Sequence, residues 1–177
     1  MSDTASPSRA SAVEHLGRRL MFALRYRSAW IPTSVGRIHV WTAKGSGPLP
    51  PVLLFHGFGS SALHWTPLLL HLRSQVQGVM AFDLPGHGFS DRPSKLTHEV
   101  LRAGVGEALD QVHVAPSIVI GNSLGGAAAL KYVIARPERV LGAVLFSPGG
   151  APMDAAELGA LRATACPTQS GPPSSPR

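Results

Sequence analysis

A serine set between two glycines, Gly121-Asn122-Ser123-Leu124-Gly125, is the stretch of this chain whose residue types and spacing could do chemistry. The β-branched run Ile118-Val119-Ile120 precedes it and the alanine-rich stretch Ala127 to Ala135 follows, so the pattern reads strand, tight turn, helix. In that setting Ser123 is a candidate nucleophile. The sharp turn lifts its hydroxyl clear of the sheet, and the glycines keep side chains out of the space where strand and helix pack closely. A serine hydroxyl is a weak nucleophile: it needs a base to take its proton and donors to hold the oxyanion that its attack creates. The start of the helix offers such donors, the Leu124 N–H among them. The plainer alternative is a glycine-rich strand-to-helix turn in which Ser123 only caps the helix.

The elements that must position this serine follow from hydrophobic patterning. Val13, Leu16, Leu20 and Leu24 have helical spacing, which predicts a short helix over Val13 to Leu24. Trp30 to Thr33 and Arg37 to Thr42, joined across Thr33-Ser34-Val35-Gly36, read as a hairpin. Further strands are expected at Val52 to Phe55, Val79 to Phe82, Ile118 to Ile120 and Val140 to Phe146, and helices at Ala62 to Leu72, Thr97 to Val112, Leu124 to Ala135 and Asp154 to Ala163. Gly104 and Gly106 weaken the third of these helices in sequence terms. Strands that are apolar along their whole length are buried on both faces. The expected class is therefore α/β, a mostly parallel sheet with helices on both faces. In such sheets ligands bind beyond the carboxyl ends of the strands, and the glycine-rich loops of this chain all follow strands at that end.

Composition bounds the rest. With 177 residues, 44% of them hydrophobic and 15% charged, the chain is expected to fold as one globular domain. One cysteine, Cys166, provides neither a disulfide framework nor zinc-ligand spacing, so no metal and no cofactor is expected. No apolar run reaches the length of about 18 residues that a transmembrane helix needs. The net charge of +6 invites a nucleic-acid reading, but the arginines are scattered, five of them within Arg9 to Arg27, and no stacking aromatics accompany them. They read instead as a solvated basic N-terminus. That segment has the arginine and serine of a transit peptide, but Asp3, Glu14 and the lack of a clear processing site weaken that reading, and a cytoplasmic protein with no nucleic-acid partner is the expectation. Residues 1–28 are read as an N-terminal extension, disordered at its start, 29–163 as the folded domain, and the Pro/Ser/Gly-rich 164–177 as a disordered tail.

Three motifs in order, His56-Gly57-Phe58-Gly59, Asp83-Leu84-Pro85-Gly86-His87-Gly88-Phe89-Ser90 and Gly121-Asn122-Ser123-Leu124-Gly125-Gly126, resemble those of the α/β-hydrolase fold family, over about Trp30 to Leu161. The likeness points to the esterase and meta-cleavage product hydrolase branches; dehalogenases and epoxide hydrolases of this fold carry aspartate where Ser123 stands. The resemblance implies a serine hydrolase acting on an ester or related carbonyl substrate. It makes Ser123 the nucleophile and assigns the oxyanion-hole N–H groups to Leu124 and Phe58. His56, Gly57, Leu63 and Trp65 are its candidates for substrate contact, with a bracing role for His56 and His87 and plain core for Leu63 and Trp65 as the alternatives. The family order is serine, acid, histidine. Asp154 is the candidate acid, otherwise explained by the start of a helix, but no histidine follows Ser123 and the base is unassigned; the last histidine is His113. The domain is therefore expected to be truncated, lacking the last strands of the fold. The alternatives to an active hydrolase are a catalytically silent binding or interaction protein and a non-functional fragment. Loss of later strands would expose Val140 to Phe146 as a sheet edge, through which self-association is expected.

Overall fold

The chain is described by a computed structural model over residues 12–112 and 115–149. Among the described residues six strands form one sheet: β1 (Arg27–Thr33), β2 (Gly36–Lys44), β3 (Val52–Phe55), β4 (Gly78–Phe82), β5 (Ser117–Asn122) and β6 (Val140–Phe146), in the spatial order β1-β2-β4-β3-β5-β6. The hairpin β1–β2 joins β4 antiparallel, and β4, β3, β5 and β6 run parallel. This is the mostly parallel α/β sheet that the apolar strands predict. β1 and β2 are longer than the apolar residues alone suggest. Arg27 and Ser28 pair in register with Thr42 and Trp41, so polar residues extend the hairpin beyond the hydrophobic signal.

Among the described residues four α-helices flank the sheet: α1 (Ala12–Ala23), α2 (Thr66–Leu72), α3 (His98–Gln111) and α4 (Leu124–Ala135). The expected helix over Ala62 to Leu72 is divided: a 3₁₀ turn, Ala62–Trp65, precedes α2. Pro67 explains the break, since it lacks an N–H and its ring clashes with the carbonyl four residues back, that of Leu63. That carbonyl accepts from the Thr66 hydroxyl instead, at 2.6 Å. Gly104 persists within α3 for a packing reason, because a Cβ there would lie 2.8 Å from the Pro85 ring and 3.0 Å from Val35.

Alternation along the strands divides the core in two. Leu53, Phe55, Phe82 and Val119 face α3 and α4, meeting Leu101, Leu109 and Tyr132. Val52, Leu54, Ala81 and Ile120 face α1 and α2, meeting Met21, Trp65 and Leu69. The N-terminal arginines are not all solvated as the sequence suggests. Arg18 places its guanidinium over the rings of Phe22 (5.4 Å), Trp30 (5.5 Å) and Phe89 (5.5 Å), where cation–π attraction helps seat α1. On the far edge β6 pairs only with β5 among the described residues, and Leu141, Val144 and Phe146 are exposed. No described helix is long and apolar enough to cross a membrane.

Candidate active site

The turn from β5 into α4 has a backbone that few side chains tolerate. Ser123 sits at φ 49° and ψ −113°, on the left-handed side that favours glycine. Surrounding hydrogen bonds hold it there. Its N–H donates to the Phe146 carbonyl at 2.9 Å, and its own carbonyl accepts from the Ala127 N–H (3.0 Å) and the Gly149 N–H (2.9 Å). The flanking glycines are sterically required. A Cβ at Gly121 would lie 2.6 Å from the Gly125 carbonyl oxygen, and one at Gly125 would lie 2.3 Å from that of Phe55. Leu124 begins α4, so its N–H has no acceptor within the helix and is free to serve a ligand. The Ser123 hydroxyl has no hydrogen-bond partner among the described residues.

The loop after β3 runs beside this serine. A Cβ added at Gly57 would come 3.0 Å from the Asn122 side-chain nitrogen and 3.5 Å from the Ser123 Cβ, so a side chain there would press on Asn122. The next residue, Phe58, has an exposed ring standing edge-on to His87 at 5.4 Å. An open cavity of about 420 Å³ lies over these loops, lined by Phe58, Gly59, Ser60, His87, Arg92 and Leu96 among others. Both loops that wall this groove at the carboxyl ends of β3 and β4 stand out in the sequence as glycine-rich motifs, but their meeting in one groove does not, because they are distant along the chain.

The other candidates fall in different places. His56 is fully buried and both of its ring nitrogens are occupied: Nδ1–H donates to the Gly57 carbonyl at 2.7 Å, and Nε2 accepts from the Leu84 N–H at 3.0 Å. Burial pushes its pKa down from 6.5 to about 4, against a smaller opposing pull from Asp83, so the imidazole is neutral near pH 7. In this position it braces the loops after β3 and β4. Trp65 is buried in the apolar layer beneath α1 and α2, and Leu63 packs against the same layer and against Gly17. Asp154, the helix expected from it, His113 and the tail lie outside the described residues.

A buried carboxylate that the sequence reading did not single out as a site residue organises the loops. Asp83 accepts from the Ala62 N–H (2.6 Å), the Phe89 N–H (3.1 Å) and His39 Nδ1 (2.8 Å), joining the turn before α2, the loop after β4 and strand β2. Nε2 of His39 in turn accepts from the Ser28 hydroxyl at 2.7 Å. The available signal was an aspartate at the end of an apolar strand, directly before a Pro/Gly-rich loop. His87 Nδ1 lies 3.0 Å from the Pro85 carbonyl, and its ring stacks edge-on against His56. No described histidine is hydrogen-bonded to Ser123, and no cluster of potential metal ligands occurs among the described residues.

Comparison with known proteins places this geometry in context. A family model described as the alpha/beta hydrolase fold matches residues 50–166. The chain is 35% identical over 117 residues to a dihydrolipoyllysine-residue acetyltransferase component of the acetoin cleaving system of Cupriavidus necator, a match covering 66% of this chain and 31% of that protein. It is 29% identical over 130 residues to an uncharacterized carboxylesterase, nap, of Bacillus subtilis, covering 72% of this chain and 43% of the relative. Among solved structures, naproxen esterase from Bacillus subtilis superposes with a TM-score of 0.69 at 25% identity, over 88% of this chain and 57% of that one. These matches thus span less than half the length of the two curated relatives.

Proposed function

The chain belongs to the alpha/beta hydrolase fold family, and within it we propose that Ser123 is the nucleophile of a serine hydrolase acting on esters or related carbonyl compounds. The observation that carries this reading is the strained Ser123 backbone, clamped between Phe146, Ala127 and Gly149 with the Leu124 N–H beside it. In the reaction the Ser123 Oγ adds to the ester carbonyl carbon, and the carbonyl oxygen gains the negative charge. The N–H groups of Leu124 and Phe58 hold that oxygen. Collapse expels the alcohol and leaves an acyl-serine, which water then cleaves. The groove lined by Phe58, His87 and Leu96 shares the Phe58 loop with this site but does not include Ser123 itself, and in this reading it takes the part of the small-molecule substrate remote from the ester.

The proton is the slow part. No described histidine contacts the Ser123 hydroxyl, and with the described residues alone solvent takes its proton and later supplies one to the leaving alcohol. Loss of a triad member costs roughly 10⁴ to 10⁶ in turnover and leaves about 10³ to 10⁴ over water from the oxyanion donors and binding. The described chain is therefore a slow acyl acceptor. A fluorophosphonate probe should label Ser123 weakly, with the label mapped by mass spectrometry and lost in Ser123→Ala. Equal labelling of the alanine variant would refute the assignment. Hydrolysis of p-nitrophenyl esters should barely exceed that of imidazole buffer, and a rate above about 1 s⁻¹ that depends on Ser123 would show that a base reaches it after all. The unpartnered hydroxyl also favours a second reading, a binding protein that holds ester-like ligands without turning them over. A non-hydrolysable ester analogue bound in the groove with no labelling of Ser123 would select it.

A further inference from the structure

The parallel strands β4, β3 and β5 carry Ser123 beyond their carboxyl ends. At their opposite, amino ends the molecule has a second concavity. It is an open cavity of about 620 Å³, within the range of about 300–1,000 Å³ typical of small-ligand sites. Arg25, Arg27, Lys44 and Arg73 stand around it, and Met80 and Val112 contribute apolar surface. Among the described residues no carboxylate lines it and none of the four cations forms an ion pair, whereas Arg37, Arg136 and Arg139 elsewhere all do. Four cations gathered around one concavity create a positive potential that favours an anion.

Two features show that this cluster is built into the fold. Arg73 is fixed in place: its Nη1 donates to the Leu24 carbonyl at 2.7 Å, its Nε donates to the Lys44 carbonyl at 3.3 Å, and its guanidinium lies over the Tyr26 ring at 5.5 Å. The planar group is thus positioned in advance, with Nη2 left for a ligand, the arrangement in which arginine recognises phosphate best. Arg25 occupies the turn between α1 and β1 at φ 62°, a left-handed position after a helix where glycine is the relaxed choice. A long cationic side chain is held there at a steric cost, and it lines the cavity.

We propose that this cavity binds an amphiphilic anion, a phosphate or sulfate monoester carried on a short apolar group. Arg25, Arg27, Lys44 and Arg73 hold the head, and the surface at Met80 and Val112 takes the apolar part. An extended polyanion such as duplex DNA fits less well, because the cations surround a concavity with an apolar floor instead of forming a flat stripe.

The test is calorimetric titration of the full chain with octyl phosphate, octyl glucoside, inorganic phosphate and a short DNA duplex, all below micelle concentration. Octyl phosphate should bind at least about tenfold more tightly than octyl glucoside or inorganic phosphate, and the double variant Arg25→Glu/Arg27→Glu should lose about tenfold or more of that affinity. Lys44→Glu alone should weaken it in the same direction, which keeps the test valid if the double variant fails to fold. Ser123→Ala should bind octyl phosphate as the parent does, which separates this site from the hydrolase reading. Equal binding of octyl glucoside, or full affinity in Lys44→Glu and in a folded double variant, would overturn the proposal. Inorganic phosphate binding as tightly as octyl phosphate would reduce it to a simple anion site and remove the apolar part. DNA binding tightly where octyl phosphate does not would replace it with a polyanion surface.

Discussion

His56 should make this protein acid-labile in a defined pH window. The imidazole is buried and neutral, with Nδ1–H on the Gly57 carbonyl and Nε2 accepting from the Leu84 N–H. Protonation would turn Nε2 from an acceptor into a donor facing another donor, and would place a charge where water cannot reach it. Burial is the main cause of its lowered pKa, with the charge of Asp83 opposing. Unfolding exposes the ring and returns it to about 6.5, so the unfolded chain binds the proton more readily than the native one. The stabilising contribution is therefore complete above pH 6.5 and is lost as pH falls toward about 4. That interval, at about 1.4 kcal/mol per pH unit, amounts to about 3 kcal/mol, a large share of the stability of a domain this size. Urea unfolding followed by Trp fluorescence should show a midpoint that is constant above neutrality and drops steadily between about pH 6.5 and about pH 4.5. Asp91 does not confuse the reading. Arg37 holds its carboxyl below 3.8, so its contribution is present throughout this window and is lost only at lower pH. A flat stability curve across the window, or a His56 ring that titrates near 6.5 in the native state by NMR, would refute the argument.

Other consequences are more local. Gly125→Ala should cost at least about 2 kcal/mol in chemical denaturation, because the new Cβ meets the carbonyl oxygens of Phe55 at 2.3 Å and His56 at 2.4 Å, and backbone cannot step aside; a variant as stable as the parent would show that the elbow is looser than described. Asp83→Asn replaces an acceptor of three donors with a group that is half donor, and should lose about 2 kcal/mol. Unchanged stability in that variant would remove Asp83 from its central place. Self-association through β6 should appear as dimers or larger species in sedimentation, and Val144→Lys, at an exposed apolar position on that strand, should shift the population toward monomer. A parent chain that is monomeric at all concentrations would refute it.

The sequence made the local features legible and left the long-range ones hidden. The runs Val52 to Phe55, Ile118 to Ile120 and Val140 to Phe146 each carry their own strand signal, and the glycine spacing around Ser123 announces a turn that any tighter residue would block. The break before α2 was also readable, since Pro67 stands within the expected helix. The ends of β1 were not, because Arg27 and Ser28 extend the strand through pairing with β2 and not through their own hydrophobicity. Trp65 has the character of either a pocket wall or a core residue until α1 is placed over it. The role of Asp83 depends on three partners, His39, Ala62 and Phe89, that are remote in sequence or lie across a loop, and no spacing rule brings them together. The docking of Arg18 on three rings was hidden for the same reason.

The hydrogen bonds that clamp Ser123 tie its backbone to the last strand of the sheet. Its N–H is held by Phe146 at the end of β6, and its carbonyl by Gly149 just beyond. The exposed edge and the strained serine are thus two ends of one thermodynamic linkage. Whatever shifts or frays β6 lets Ser123 relax toward an ordinary dihedral, and whatever fixes Ser123, an acyl group or a phosphonate, must stabilise β6 in its place. Reciprocity then requires that a molecule docking along the β6 edge change the equilibrium affinity of a reversible ligand held at Ser123, and that this ligand change the docking affinity by the same factor.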